Sequence, residues 1–172
     1  MSDIPKLLSL LILKSAPQDL RYSPPLMLQL VLAYIVSGIV VLQTTLSPDD
    51  MFSGLLLGLL IQFLFTYSVL KALDKGPRFV QTFCAILGAG VLFNLLSWPV
   101  FSLLSEETTS EAMKSSMSLM FLLIISWEVL VKAHIFKHAL EMRMFSALAL
   151  SFSLFFISIA LSQLLFPGTG SS

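Results

Sequence analysis

The distribution of charge along this 172-residue chain limits its fold more than any other feature, because ten basic and ten acidic side chains are gathered into short clusters with long apolar runs between them. Residues 26–46, 51–70 and 79–105 hold no charged side chain, residues 115–131 hold only Glu128, and everything from Met144 onward is uncharged. About 20 helical residues cross roughly 30 Å of hydrocarbon, so each run suffices for a membrane-spanning helix. The runs are too long for barrel strands of about ten residues, and in lipid only helices or closed barrels satisfy the backbone. The expected fold is all-α: a polytopic transmembrane helix bundle of five spans, with an N-terminal interfacial helix.

Composition points the same way. Hydrophobic residues make up 56% of the chain and charged ones 12%, with a mean hydropathy of +0.91. A soluble domain ordinarily carries about 25% charged residues, and a short chain leaves much of its surface exposed. Pro24-Pro25, Ser47-Pro48-Asp49-Asp50 and Asp74-Lys75-Gly76-Pro77 punctuate the runs. Ser47 or Asp50 is placed to cap the second span. Helices are expected near 26–46, 51–73, 79–104, 114–137 and 142–166. Residues 1–25 then form a cytoplasmic amphipathic region, 26–166 the five-helix domain and 167–172 a short external tail.

Lys and Arg set the expected orientation. Lys6, Lys14 and Arg21 precede the first span, Lys71, Lys75 and Arg78 follow the second, and Lys132, Lys137 and Arg143 surround the end of the fourth. The alternate segments hold Lys114 beside Asp49, Asp50, Glu106, Glu107 and Glu111. Basic short loops stay on the cytoplasmic side, which puts the N-terminus inside and the C-terminus outside. The small size and the absence of trafficking signals fit a bacterial cytoplasmic (inner) membrane. The apolar stretch Ile4 to Leu13 is too short to span. It reads as a helix at the interface or packed on the bundle, started by Ser2 or Asp3 with Pro5 in its first turn; a re-entrant segment and a signal peptide are the alternatives.

Glu128 is the sharpest candidate for a functional group, since a carboxylate within an apolar helix must be paired, protonated or hydrated. Lys132, four residues on, shares its helical face, so a Glu128–Lys132 ion pair near the cytoplasmic boundary is the expected arrangement. A proton or ion pathway and contact with a charged partner are the other readings. Gln29, Gln62, Asn94 and Gln163 are available to bond between helices. Small residues suggest close helix packing at Gly54 with Gly58, at Ala85 with Ala89, and along Ala147, Ser151, Ser158 and Ser162. Such faces serve contacts within the bundle or between subunits, homo-oligomers included. His134 and His138 share a face with Glu141, but no further ligands complete a metal set. His134, Lys137, His138 and Arg143 read instead as a basic corner for a cytoplasmic partner or anionic lipid. The single cysteine, Cys84, excludes an intramolecular disulfide.

No phosphate loop, metalloprotease motif or nucleophile elbow is present, so the expected protein is not an enzyme and needs no catalytic, metal or cofactor-binding residues. Nucleic acid is not an expected partner; other integral membrane proteins and anionic lipids are. Asp19, Leu20, Tyr22 and Pro24, before five apolar spans, resemble the Asp-Leu-Tyr-Gly-Pro-aromatic motif of the Yip1-type family of small membrane proteins, with Arg21 inserted and Ser23 in the glycine place. The likeness covers residues 19–166 and implies a five-span adaptor or scaffold in trafficking or assembly. The expected function is a non-enzymatic accessory, scaffold or assembly subunit of a membrane complex, the alternative being a component of a transporter or channel.

Overall fold

A computed structural model describes residues 4–43, 48–104 and 110–165. Six α-helices lie in these residues: α1 (Ile4–Leu11), α2 (Pro24–Leu42), α3 (Pro48–Ala72), α4 (Phe79–Leu104), α5 (Glu111–Leu140) and α6 (Met144–Leu165). Short 3-10 turns at Pro17–Asp19 and Gly76–Arg78 lead into α2 and α4. Among the described residues, five helices are long and apolar enough to span a membrane, and α1 is separate from them.

Local chemistry explains where the helix ends differ from expectation. The Ser23 hydroxyl accepts a hydrogen bond from the Leu26 amide at 3.3 Å, and prolines lacking an N–H fit a first turn, so α2 begins at Pro24 rather than 26. Ser110 caps α5 in the same way and Glu111 favours its positive end, which starts that helix before 114. The same helix runs past 137 until Glu141 turns into a left-handed conformation, φ 56° and ψ 40°. The expected capping roles of Ser2, Asp3 and Ser47, and the tail at 167–172, lie outside the described residues.

The bundle is built around α4. Residues Thr82 to Gly90 are buried on every side, because α4 touches α1, α2, α3 and α5. Small residues make that crowding feasible: Ala85 and Ala89 are buried, Gly88 lies under Leu7 of α1, and Gly90 under the Tyr34 ring of α2. Cys84 is also in this core. Outward faces remain apolar, with Leu28, Leu32 and Val36 on α2 and Phe52, Leu56 and Leu60 on α3 exposed. Stripes at intervals of four residues suit contact with lipid tails.

The N-terminal helix packs into the bundle as well as lying beside it. Leu7 and Leu10 are buried, while Ile4, Leu8 and Ile12 face outward. The Leu11 carbonyl, at the end of α1, accepts a hydrogen bond from Trp127 Nε1 at 3.0 Å. Trp127 stands 13 residues before the end of α5, about 20 Å along the helix, so the α1 end dips alongside α4 and α5. Leu13 then takes a positive φ of 59°, and the chain returns.

One end of the bundle gathers the N-terminal segment, the α3–α4 connection and the α5–α6 turn. Gln81 Nε2 donates to the Leu20 carbonyl at 2.8 Å, Gln18 Nε2 to the His138 carbonyl at 2.7 Å, and Arg78 Nη1 to the Ala139 carbonyl at 3.1 Å. Glu141 joins Lys75 at 2.5 Å and Arg78 at 2.6 Å. These two cations hold its carboxyl down to about 2, through hydrogen bonds and charge attraction. A carboxylate with a lowered folded-state pKa stabilises above its unfolded value, near 4.5, and stops doing so as pH falls through the folded value. The wild-type melting temperature should therefore exceed that of Glu141→Gln at neutral pH, the gap narrowing below pH 4.5 and closing near 2. A gap independent of pH would refute the clamp.

Candidate functional site

Four helices place polar side chains around a shared space within the bundle. Tyr34 on α2, Gly58 and Gln62 on α3, Glu128 and Lys132 on α5, and Ser151 and Ser158 on α6 line a chamber of about 200 Å³. Measured along their helices from the basic end, Tyr34, Gln62, Glu128 and Ser158 stand 10 to 14 residues in, about 15–21 Å. That is the middle of a bilayer. Leu154, Val129 and Phe155 complete the wall.

Each polar group arrives there through helical spacing. Glu128 and Lys132 stand one turn apart, and the Lys132 ammonium meets Glu128 Oε1 at 2.7 Å. Glu preceding Lys by four residues is the favourable order on a helix. Lys132, counted with the basic connections in the charge pattern, thus faces the interior. The Ser151 hydroxyl donates to the Val129 carbonyl at 2.8 Å, tying α6 to α5, and Ser158 donates to its own helix at the Leu154 carbonyl. Gln62 Nε2 donates to the Tyr34 hydroxyl at 2.9 Å, linking α3 to α2. Gln62 Oε1 is buried without a partner, as is Thr66 Oγ1 one turn along α3.

A second cavity, of about 270 Å³, shares Tyr34 and Gly58 with the first and extends past Gly38, Gly54 and Asn94. Asn94 Nδ2 donates to the Ser37 hydroxyl at 3.1 Å, and Ser37 donates to the Tyr34 carbonyl at 3.1 Å. The polar groups therefore continue from the ion pair through Tyr34 toward the opposite end. The larger grooves, about 380 and 430 Å³, are lined mainly by apolar side chains away from this line and have the character of acyl-chain contacts.

The remaining candidates sort by position. Gln62 and Asn94 bond between helices, whereas Gln29 and Gln163 are exposed. Ala147 is buried, and Ser162 is half-buried on α6. Gly54 and Gly58 meet nothing within 4 Å of an added Cβ and border cavities, while Gly38, Gly88 and Gly90 make close approaches, to Leu55, Leu7 and Tyr34. His134 is buried, with Nε2 placed 2.9 Å from the Ser15 carbonyl, so the N-terminal segment covers it. It stands outside the basic surface on which Arg143 is exposed and Lys137 and His138 are half-buried. Tyr34 and Thr66 were not among the expected residues. Two signals in the sequence could have found them: a tyrosine in mid-span, away from the interfaces that the residue favours, and the four-residue interval linking Gly54, Gly58, Gln62 and Thr66.

The chain is a polytopic all-helical membrane protein with five spans among its described residues. Comparison with protein-family models, curated proteins and solved structures gave no match.

Proposed function

We propose that this protein is a non-enzymatic membrane-embedded accessory or scaffold subunit that assembles with other integral membrane proteins and with anionic lipids. The observation that carries this reading is the braced basic end. Arg21, Lys71 and Arg143 are exposed there, on segments tied together by Gln18, Arg78, Gln81 and Glu141. A prearranged cluster of cations suits anionic headgroups and acidic partner loops, because little ordering is left to do on contact. This end is the cytoplasmic one in a bacterial inner membrane, with the C-terminus opposite.

The Yip1-type likeness adds a trafficking or assembly context. Its residues also have local duties: Asp19 Oδ2 accepts from the Ala16 amide at 2.8 Å, Leu20 is buried, and Pro24 opens α2. The polar chamber favours a second reading, a transporter or channel component.

Purification from native membranes in mild detergent, with crosslinking, tests both. Stoichiometric membrane partners, lost on combined Arg21→Glu, Lys71→Glu and Arg143→Glu substitution, are the expected result. No stable partner in native membranes would sink the assembly reading. Solute flux through liposomes containing only this protein, abolished by Glu128→Gln, would establish the second.

A further inference from the structure

The chamber has a hydrogen-bonding deficit that specifies the kind of molecule able to fill it. Gln62 is 6% exposed and lines the chamber, its Nε2 serves Tyr34, and its Oε1 is buried in the wall unpaired. A buried polar atom without a partner is costly, and so it marks where one belongs. Turning the amide over would satisfy Oε1 through the Tyr34 hydroxyl and strand Nε2 instead. A hydroxyl group serves either orientation, since it donates once and accepts twice.

The other walls ask for the same chemistry. Ser151 and Ser158 have committed their protons to backbone carbonyls, so they offer lone pairs to the chamber. Tyr34 accepts from Gln62 and keeps its own proton to donate. Glu128 and Lys132 neutralise each other at 2.7 Å. An added cation would face the Lys132 ammonium and an added anion the Glu128 carboxylate, whereas a neutral molecule meets neither repulsion. The volume, about 200 Å³, falls below the roughly 300–1,000 Å³ of sites for drug-sized ligands. It suits a molecule of a few carbons.

We propose that this chamber binds a small uncharged polyol, with Gln62 bonding one hydroxyl while Tyr34 and the Glu128–Lys132 pair bond the others. The site is separate from the basic end on which the assembly reading rests. Partner loss upon charge reversal and ligand loss upon chamber substitution therefore report on different surfaces.

Saturation-transfer NMR on the full chain in phosphatidylcholine nanodiscs, with glycerol as the probe and methylammonium and acetate as charged controls, tests the site. Transfer to glycerol should exceed that in empty nanodiscs and in both controls. Affinity should fall about ten-fold in Gln62→Met, which keeps the volume and removes the amide, as expected for the loss of one hydrogen bond. Gly58→Leu, which fills the chamber from a backbone with open space above it, should abolish transfer, while Leu64→Ala on the exposed face of α3 should leave it intact. Helical circular dichroism and a monodisperse elution profile identify the variants that fold. Transfer no greater than in empty nanodiscs, equal transfer to methylammonium or acetate, or transfer unchanged in folded Gln62→Met would overturn the proposal.

Discussion

Replacing Lys132 alone with Met is expected to destabilise the bundle by about 3 kcal/mol, because a buried charge loses its partner within lipid. Glu128→Gln should cost a similar amount by stranding the ammonium. The double variant Glu128→Gln/Lys132→Met should lie within about 1 kcal/mol of the wild type, since replacing both charges removes the desolvation penalty along with the attraction. The pair is arranged for mutual satisfaction: contact is 2.7 Å, and the two side chains are only 29% and 16% exposed. Reversible unfolding in mixed micelles of the wild type, both single variants and the double variant measures the coupling directly. A double variant as unstable as the sum of the singles would show that the two groups do not act together. The result also bears on the chamber, whose preference for an uncharged guest depends on this neutralisation.

The spans were legible because a single physical requirement governs them. Backbone polar groups in lipid must bond internally, so a long apolar run has few other folds open to it, and 79–104 matches α4 at both ends. The Glu128–Lys132 pair was legible for a similarly local reason: two residues four apart on a helix are neighbours whatever surrounds them. Tyr34 and Gln62 were harder to pair, since their meeting depends on how α2 and α3 are rotated about their axes. Helices that are apolar all round give little periodic signal for that rotation. The descent of α1 was hidden for another reason. It is set by Leu7 lying on Gly88 and by Trp127 capping the Leu11 carbonyl, contacts across more than 80 residues of chain. His134 was read with the basic residues beside it in sequence, but the returning segment at Ser15 covers it.

Glycine substitutions separate spacing from true contact, and the largest effect is expected at Gly90. An added Cβ there would lie 2.7 and 3.0 Å from Cε2 and Cδ2 of the Tyr34 ring. A ring cannot fold away as the tip of a leucine can, and this one is held through its hydroxyl by Gln62 at 2.9 Å. Either α2 moves off α4 or the whole ring swings about its Cα–Cβ bond and gives up that hydrogen bond, so Gly90→Val should cost about 3 kcal/mol, at the upper end for overpacking. Gly54 and Gly58 have the glycine-xxx-glycine spacing that suggests tight packing, yet each has open space where a Cβ would stand. Gly54→Ala and Gly58→Ala should therefore be neutral or stabilising by up to about 1 kcal/mol, the gain in helix propensity over glycine. Unfolding midpoints of the isolated protein compare the three variants. Combining Gly90→Val with Tyr34→Ala, which removes the obstructing ring, should recover much of the loss and show positive coupling between the two positions. Equal losses at Gly58 and Gly90, or no recovery on removing the ring, would mean that α2 and α4 are not positioned by this contact. The geometry of the chamber they wall would then need to be drawn again.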